Sequence, residues 1–224
     1  MTKDIMLERL RAALREAPAP KDVLDWTTPQ AAGPVAYADA PWDAIQAEWK
    51  ELGMGVHAAS GRDQARDMLA RLLKECGPGT VARWDCPALA DLGLDGLLEA
   101  HGMSVATGDG RFVDAAKDAV LGVTGADCLV AETSTIAVLT GPGQERSASL
   151  LPPRHLAVVT PDTAIVPDIP ALGPWLESLA QQTQGMPSAV HFITGPSATA
   201  DIELIKVNGI HGPVDMDVLV ILPE

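Results

Sequence analysis

The chain has 224 residues, enough for one large domain or for one domain with an N-terminal extension, and 47% of them are hydrophobic, enough for a core of ordinary size. Its 16 basic against 30 acidic residues give a formal net charge of -14, which leaves no basic field for a phosphate polymer or an anionic lipid surface, so nucleic acid is not expected as a partner. Charges are spaced through the opening MTKDIMLERLRAALREA and no later apolar run is long enough to span a bilayer, so the expectation is a cytoplasmic protein without membrane insertion.

Met6, Leu10, Ala13 and Leu14 recur at helical spacing until Pro18 and Pro20 interrupt them, and the run to Ala40 is rich in Ala, Pro and Gly. Residues 1–40 therefore read as an N-terminal helix and a Pro/Ala-rich linker, and residues 41–224 as the main domain. Trp42, Ile45, Trp49 and Leu52 form an apolar helical stripe closed by Gly53, and GVHAAS follows as a short strand. Ser60-Gly61-Arg62-Asp63 resembles a capping box with Asp in place of Glu, opening a helix that carries Ala65, Met68, Leu69, Leu72 and Leu73 and is closed by Gly77. TVARW then reads as strand, LDGLLEAHG as helix, MSVATG as strand and FVDAAKDAVLG as helix. This alternation is a βαβ rhythm, and the short, apolar, non-alternating strands are those of a sheet covered on both faces.

The second half differs. DCLVAETSTIAVLTGPG has two apolar runs separated only by Glu132-Thr133-Ser134, too short a gap for a helical crossover, so the runs are expected as antiparallel neighbours. RHLAVVTP is the next strand, Pro170 to Thr183 a helix through Leu172, Trp175, Leu176 and Leu179, AVHFITG a strand, and VDMDVLVIL a last strand in what reads as one mixed sheet.

Cys76, Cys86 and Cys128 are far apart and form no CxxC, so neither a disulfide framework nor a Cys-ligated cluster is supported, and no metal site is assigned. Gly108 and Gly110 lie between a strand and a helix where a dinucleotide fingerprint would lie, but its third glycine position is Val113; GPGQER fails the same test at Arg146. A tight turn explains each. In TGADCLVAETST, Glu132 leaves the end of a buried strand flanked by the hydroxyls of Thr133, Ser134 and Thr135: either a polar site at a sheet edge, or a hairpin whose Glu is solvated and whose hydroxyls serve the turn. Thr124 and Asp127 just upstream read as capping the approach to that strand. In HFITGPSATADIELIKVNGIHGP, Gly195 frees the chain to turn, Pro196 fixes it, and Ser197 and Thr199 read as caps of a following helical turn. Asp201 and Glu203 oppose a bound phosphate there and suit hydroxyls or a cation. His211, before Gly212-Pro213, has the titration range for proton transfer, or is a structural turn residue. Asp215 and Asp217 read as the solvent-facing edge of the last strand.

ITGPSATADIE followed by GIHGP, together with GVTGADCLVAETST and LLPPRHLAVV, resembles the lactate-utilisation protein C family of LUD-domain proteins, in the family's order from Gly122 to Pro213. The family pattern carries Gly where Ser134 stands and a basic residue where Ala198 stands. The resemblance implies an α/β fold of the NagB/RpiA/CoA-transferase-like kind, a three-layer αβα arrangement with a mixed, mainly parallel sheet. It implies an accessory role in oxidising L-lactate to pyruvate beside two iron-sulfur proteins, with no cofactor on this chain and the clusters on those partners. Glu132 and His211 are then the candidate catalytic residues. Thr124, Asp127, Thr133, Ser134, Thr135, Gly195, Pro196, Ser197, Thr199, Asp201, Glu203 and Gly212 are candidates to bind a small organic acid or related ligand. Two other readings stand beside it: by fold analogy a stand-alone enzyme of acyl transfer or sugar-phosphate isomerisation using Glu132 with His211, and an assembly scaffold docking through its acidic surface.

Overall fold

A computed structural model of the chain describes residues 33–106, 112–182, 187–200, 206–209 and 211–223; the expected N-terminal helix, Asp201 and Glu203 lie outside them. A 3-10 turn (Tyr37–Asp39) leads into α1 (Trp42–Glu51), which buries Trp42, Ile45 and Trp49 as its stripe requires. Then come β1 (Gly55–Ser60), α2 (Arg62–Cys76), β2 (Thr80–Arg83), α3 (Pro87–Asp91), α4 (Leu94–Ala100), β3 (Ser104–Val105), α5 (Phe112–Lys117) and β4 (Leu121–Gly125). The second half supplies β5 (Cys128–Val130), β6 (Thr135–Leu139), α6 (Ser147–Leu150), β7 (Arg154–Val159), β8 (Ala164–Val166), α7 (Ile169–Gln182), β9 (Val190–Ile193), β10 (Ala198–Ala200), β11 (Lys206–Asn208) and β12 (Asp215–Leu222).

Six strands form one sheet in the order β1-β12-β7-β4-β2-β3, and every pairing in it is parallel. Its layers can be read from two glycines of β4, three residues apart and so on opposite faces. A Cβ on Gly122 would lie 1.8 Å from the Ala148 carbonyl oxygen, which puts α6 hard against one face. Gly125 faces Cys86 and Ala88 at the start of α3 on the other, the face that α2 covers over β1 and β12. The αβα layering agrees with expectation. The antiparallel part does not belong to this sheet: it is a separate one, in the order β8-β5-β6-β9. Leu129, Ile136, Val138 and Ile165 of that small sheet join the main core, while Cys128, Val130, Ala137 and Val166 pack with Ala171 and Leu172 of α7. The small sheet is thus buried on both faces, which is why its strands read as unbroken apolar runs. Each large side chain buried here contributes roughly 1.5–3 kcal/mol.

Four local expectations are corrected. The helix starting at Phe112 ends at Lys117, and Leu121–Gly125 is β4, fully buried near the middle of the parallel sheet; LGVTG extends an apolar pattern that strand and helix share. Ser60 is not a cap but the last residue of β1: Gly61, at φ +83°, is the N-cap of α2, and Gln64 reaches back to accept from the Ser60 N–H. No helical turn follows Ser197; the chain forms the antiparallel β10–β11 hairpin instead. Finally β12 lies between β1 and β7, so Asp217 is buried rather than solvent-facing, although Asp215 is exposed.

Candidate functional site

The β5–β6 hairpin closes through Ala131 to Ser134, with Val130 opposite Thr135. Ser134 takes the left-handed conformation at φ +50°, where glycine is the less strained residue, and its buried carbonyl accepts from Trp49 Nε1 at 2.7 Å. The neighbouring hydroxyls are tied to each other. Thr133 Oγ1 donates to Thr135 Oγ1 at 2.8 Å, and Thr135 Oγ1 meets Thr194 Oγ1 of the next segment at 2.9 Å. Glu132 N–H donates to the Pro167 carbonyl, and its side chain is exposed at the tip.

From Thr194 the chain enters the Gly195-Pro196-Ser197 turn, and the second break, His211-Gly212-Pro213, returns beside it. Ser197 N–H donates to the Pro213 carbonyl at 3.0 Å, Gly209 N–H to the Ser197 carbonyl at 2.8 Å, and His211 N–H to Ser197 Oγ at 3.3 Å. Ser197 is therefore the tie that closes the neck of the β10–β11 excursion, in which Thr199 lies within β10. Its backbone N–H is spent on that neck and not presented to an anion. The two turns wall a cavity of about 170 Å³ that also takes in Ser149, Leu150, His155 and Met216.

His155 backs this cavity. It is 1% exposed, its Nε2 lies 2.9 Å from Thr124 Oγ1, and burial holds its pKa down to about 4, so the ring is neutral at ordinary pH. Thr124 is accordingly a core residue of β4 and caps nothing. Asp127 lies at the far end of the β5–β6 hairpin, where its Oδ2 accepts from Leu139 N–H at 2.8 Å and burial pushes the carboxyl up to about 6.

The predicted residues thus fall into groups. Gly195, Pro196, Ser197, His211 and Gly212 line one cavity, and Thr124 touches it through His155. Thr133 and Thr135 are linked to it through Thr194, but Ser134 bonds Trp49 instead, Glu132 is not among the lining residues, and Asp127 is elsewhere. Sequence reasoning missed His155, Ser149 and Met216; a histidine inside the apolar run RHLAVV was the available signal for the first.

It also missed a charge cluster at the opening ends of β1, β7 and β12. Asp217 Oδ1 lies 2.9 Å from His57 Nε2 and Oδ2 lies 2.6 Å from Arg154 Nε. Gly55 stands opposite Asp217 in the ladder, and a Cβ there would lie 2.1 Å from Oδ1, so the glycine makes room for the carboxylate. Burial pushes the Asp217 carboxyl up, but the His57 and Arg154 hydrogen bonds and the guanidinium charge outweigh it and hold it below the usual range. Burial raises the nearby Cys76 thiol, so it is not an activated thiolate. Among the described residues no three His, Cys, Asp or Glu side chains group as metal ligands.

The LUD domain family matches residues 43–221, from within α1 to within β12. Lactate utilization protein C of Halalkalibacterium halodurans is 34% identical over 154 residues, 68% of this chain and 66% of that protein. The protein of the same name from Macrococcus caseolyticus is 33% identical over 162 residues, 71% of this chain and 68% of its own length. YkgG of Escherichia coli is 34% identical over 161 residues, 70% and 69% of the two chains. The matched stretch spans about two thirds of each of these relatives. A crystal structure of a DUF162 family protein from Deinococcus radiodurans shares the fold, with a TM-score of 0.54 at 18% identity over 80% of this chain and 95% of that one. With its family segments built into one parallel-sheet domain and its matched region covering most of its length, this chain belongs to the LUD domain family.

Proposed function

We propose that this chain is an accessory subunit of a lactate-utilisation system that oxidises L-lactate to pyruvate, with the iron-sulfur clusters carried by two partner proteins. The observation that supports this most directly is the similarity to relatives named Lactate utilization protein C, within a family match that spans every segment walling the Ser197–His211 cavity. Converting lactate to pyruvate releases an electron pair and two protons, so an acceptor is required. Cys76, Cys86 and Cys128 are separate free thiols, two of them buried, and do not make up the ligand set of a cluster; the electrons are therefore assigned to the partners. In this reading the 170 Å³ cavity takes a small organic acid, with the Ser149 and Ser197 hydroxyls and the His211 ring for its polar end and Leu150 and Met216 for its carbon chain. Glu132, exposed on the adjoining hairpin tip, faces the partners.

Purification from the native host together with growth on L-lactate tests the proposal. The expected result is recovery of two Cys-rich iron-sulfur proteins with the chain, and loss of lactate growth on deletion that the natural gene restores and His211→Asn does not. A chain that comes out alone and turns over a coenzyme A ester or a sugar phosphate would replace this reading with the stand-alone enzyme. Recovered partners with full growth of His211→Asn would reduce the role to assembly.

A further inference from the structure

The turn from Gly141 to Arg146, an incomplete glycine fingerprint in the sequence, joins β6 to α6 and walls a second, larger cavity of about 540 Å³. Polar Thr140, Arg146 and Ser147 and apolar Val113, Leu150 and Leu151 all contribute to its wall. Two observations set it apart from a surface dent. Ser147 is 6% exposed, and its Oγ, like the Oγ1 of Thr140, is buried without a hydrogen-bond partner among the described residues. A hydroxyl withdrawn from water with nothing in exchange destabilises a fold, and two on the wall of one cavity point to a partner that arrives with a ligand. The second is Arg146. It is exposed, and among the described residues its guanidinium forms no ion pair with a carboxylate. Its charge reaches His191, which pairs with Val138 across the small sheet and whose Nε2 is also buried with no partner among the described residues.

We propose that this cavity binds an organic monoanion with an apolar body, its charged end paired with Arg146 and the Thr140 and Ser147 hydroxyls and its hydrocarbon part against Val113, Leu150 and Leu151. A guanidinium flanked by hydroxyls recognises a carboxylate by charge-assisted hydrogen bonds. Glu145 in the same wall opposes a second negative charge, which disfavours phosphate dianions and nucleotides. A three-carbon acid would fill little of 540 Å³, whereas a ligand with a longer hydrocarbon body would cover the exposed side chains of Val113 (52%) and Leu151 (38%). The site is separate from the Ser197–His211 cavity, although Leu150 contributes to both walls, and it does not depend on the lactate reading.

Octanoate is the probe, titrated calorimetrically into the full chain, with 1-octanol and inorganic phosphate as controls. Saturable binding of octanoate alone is expected, weakened roughly tenfold by Arg146→Gln and several-fold by Ser147→Ala. Because Ser147→Ala removes a buried hydroxyl that has no partner, the ligand-free melting temperature should hold or rise while affinity falls, a combination that a purely structural serine would not give. His211→Asn should bind octanoate as the natural chain does, so failure here and failure of the lactate reading stay distinguishable. No binding at about millimolar octanoate, equal binding by Arg146→Gln, or octanol or phosphate binding as well as octanoate would each overturn the proposal.

Discussion

The large parallel sheet and the small four-stranded sheet treat polar side chains in opposite ways. On the parallel sheet they are paired: Thr124 with His155, Asp217 with both His57 and Arg154. Even Arg83, whose Nε sits 2.7 Å from Asp95 Oδ1 without a hydrogen-bonding angle, donates through Nη2 to Oδ2 of the same carboxylate. Where the small sheet leads out of β6 into α6, and in β9, Thr140, Ser147 and His191 each have a buried polar atom with no partner among the described residues, and Asp127 is a half-buried carboxyl with a raised pKa. One sheet is finished as a scaffold; beside the other, two of the unsatisfied groups, Thr140 and Ser147, stand in the wall of the larger cavity, which is the condition expected where a protein binds something.

The contrast breaks most easily at Asp217. Asp217→Ala strips the partner from Arg154 and His57 at the start of three parallel strands and is expected to cost about 2–3 kcal/mol by chemical denaturation near neutral pH, less than for a fully buried pair because both partners are partly exposed. The folded-state pKa of Asp217 is depressed, so its contribution is present above the unfolded carboxylate range and is lost as pH falls through the folded value; the penalty should fade in acid. A variant as stable as the natural chain at neutral pH would show that the cluster does not hold the sheet edge.

Asp127 has the opposite sign. Its folded-state pKa is raised from 3.8 to about 6, so the fold favours the protonated acid: the contribution is complete below pH 3.8 and is lost as pH rises through about 6. Asp127→Asn keeps an oxygen for the Leu139 N–H and removes the ionisation, so it should gain about 2 kcal/mol at pH 8 and almost nothing at about pH 3. Equal stability of the two proteins across that range would mean that water reaches the carboxylate. His155, held down to about 4, favours the neutral ring and loses its contribution as pH falls from 6.5, so the natural chain has two groups pulling in opposite directions over the same interval.

What the sequence disclosed follows from the same contrast. Helices with a clear stripe, α1 and α2, and strands bounded by turn residues, such as β1 and β7, were legible because local pattern and tertiary burial agree. β4 is not legible because Leu121 and Gly122 continue the apolar pattern of the preceding helix while Thr124 reads as a cap before the next strand, and only its place between β7 and β2 decides. Which sheet the β5–β6 hairpin joins was not legible, since a strand buried on both faces reads alike in either. At the site, the turns around Gly195 and His211 were legible as breaks, but that they form one neck depends on hydrogen bonds from Ser197 to residues far along the chain. His155 and Asp217 looked like a strand residue and a surface acid because their partners, Thr124 and Arg154, are distant in sequence.

A smaller effect sharpens the comparison on the small-sheet side. Ser134 sits at φ +50°, a conformation that costs an L residue roughly 1 kcal/mol and glycine little, while glycine loses more chain entropy on folding. Ser134→Gly should therefore gain no more than about 0.5 kcal/mol, read as a small rise in melting temperature with the Trp49 bond to its carbonyl kept. A loss instead would assign the buried Ser134 side chain a packing role that outweighs the backbone strain.

The least stability change of all is expected at Glu132, and there the two regions part in function. Its side chain is exposed on the hairpin tip, so Glu132→Gln should alter stability by less than about 0.5 kcal/mol. Because the hydroxyls of Thr133 and Thr135 are engaged with each other and with Thr194, the tip itself keeps its shape when the charge goes. Any functional loss in Glu132→Gln then reports the carboxylate alone. Under the accessory-subunit reading the variant should recover less of the partner proteins and grow more slowly on L-lactate, while a small organic acid still binds at the Ser197–His211 cavity. Loss of acid binding as well would place the carboxylate within reach of that ligand and revive its role as acid-base group beside His211. Unchanged partner recovery and unchanged growth would remove Glu132 from the site and leave the small sheet's contribution to its cavities.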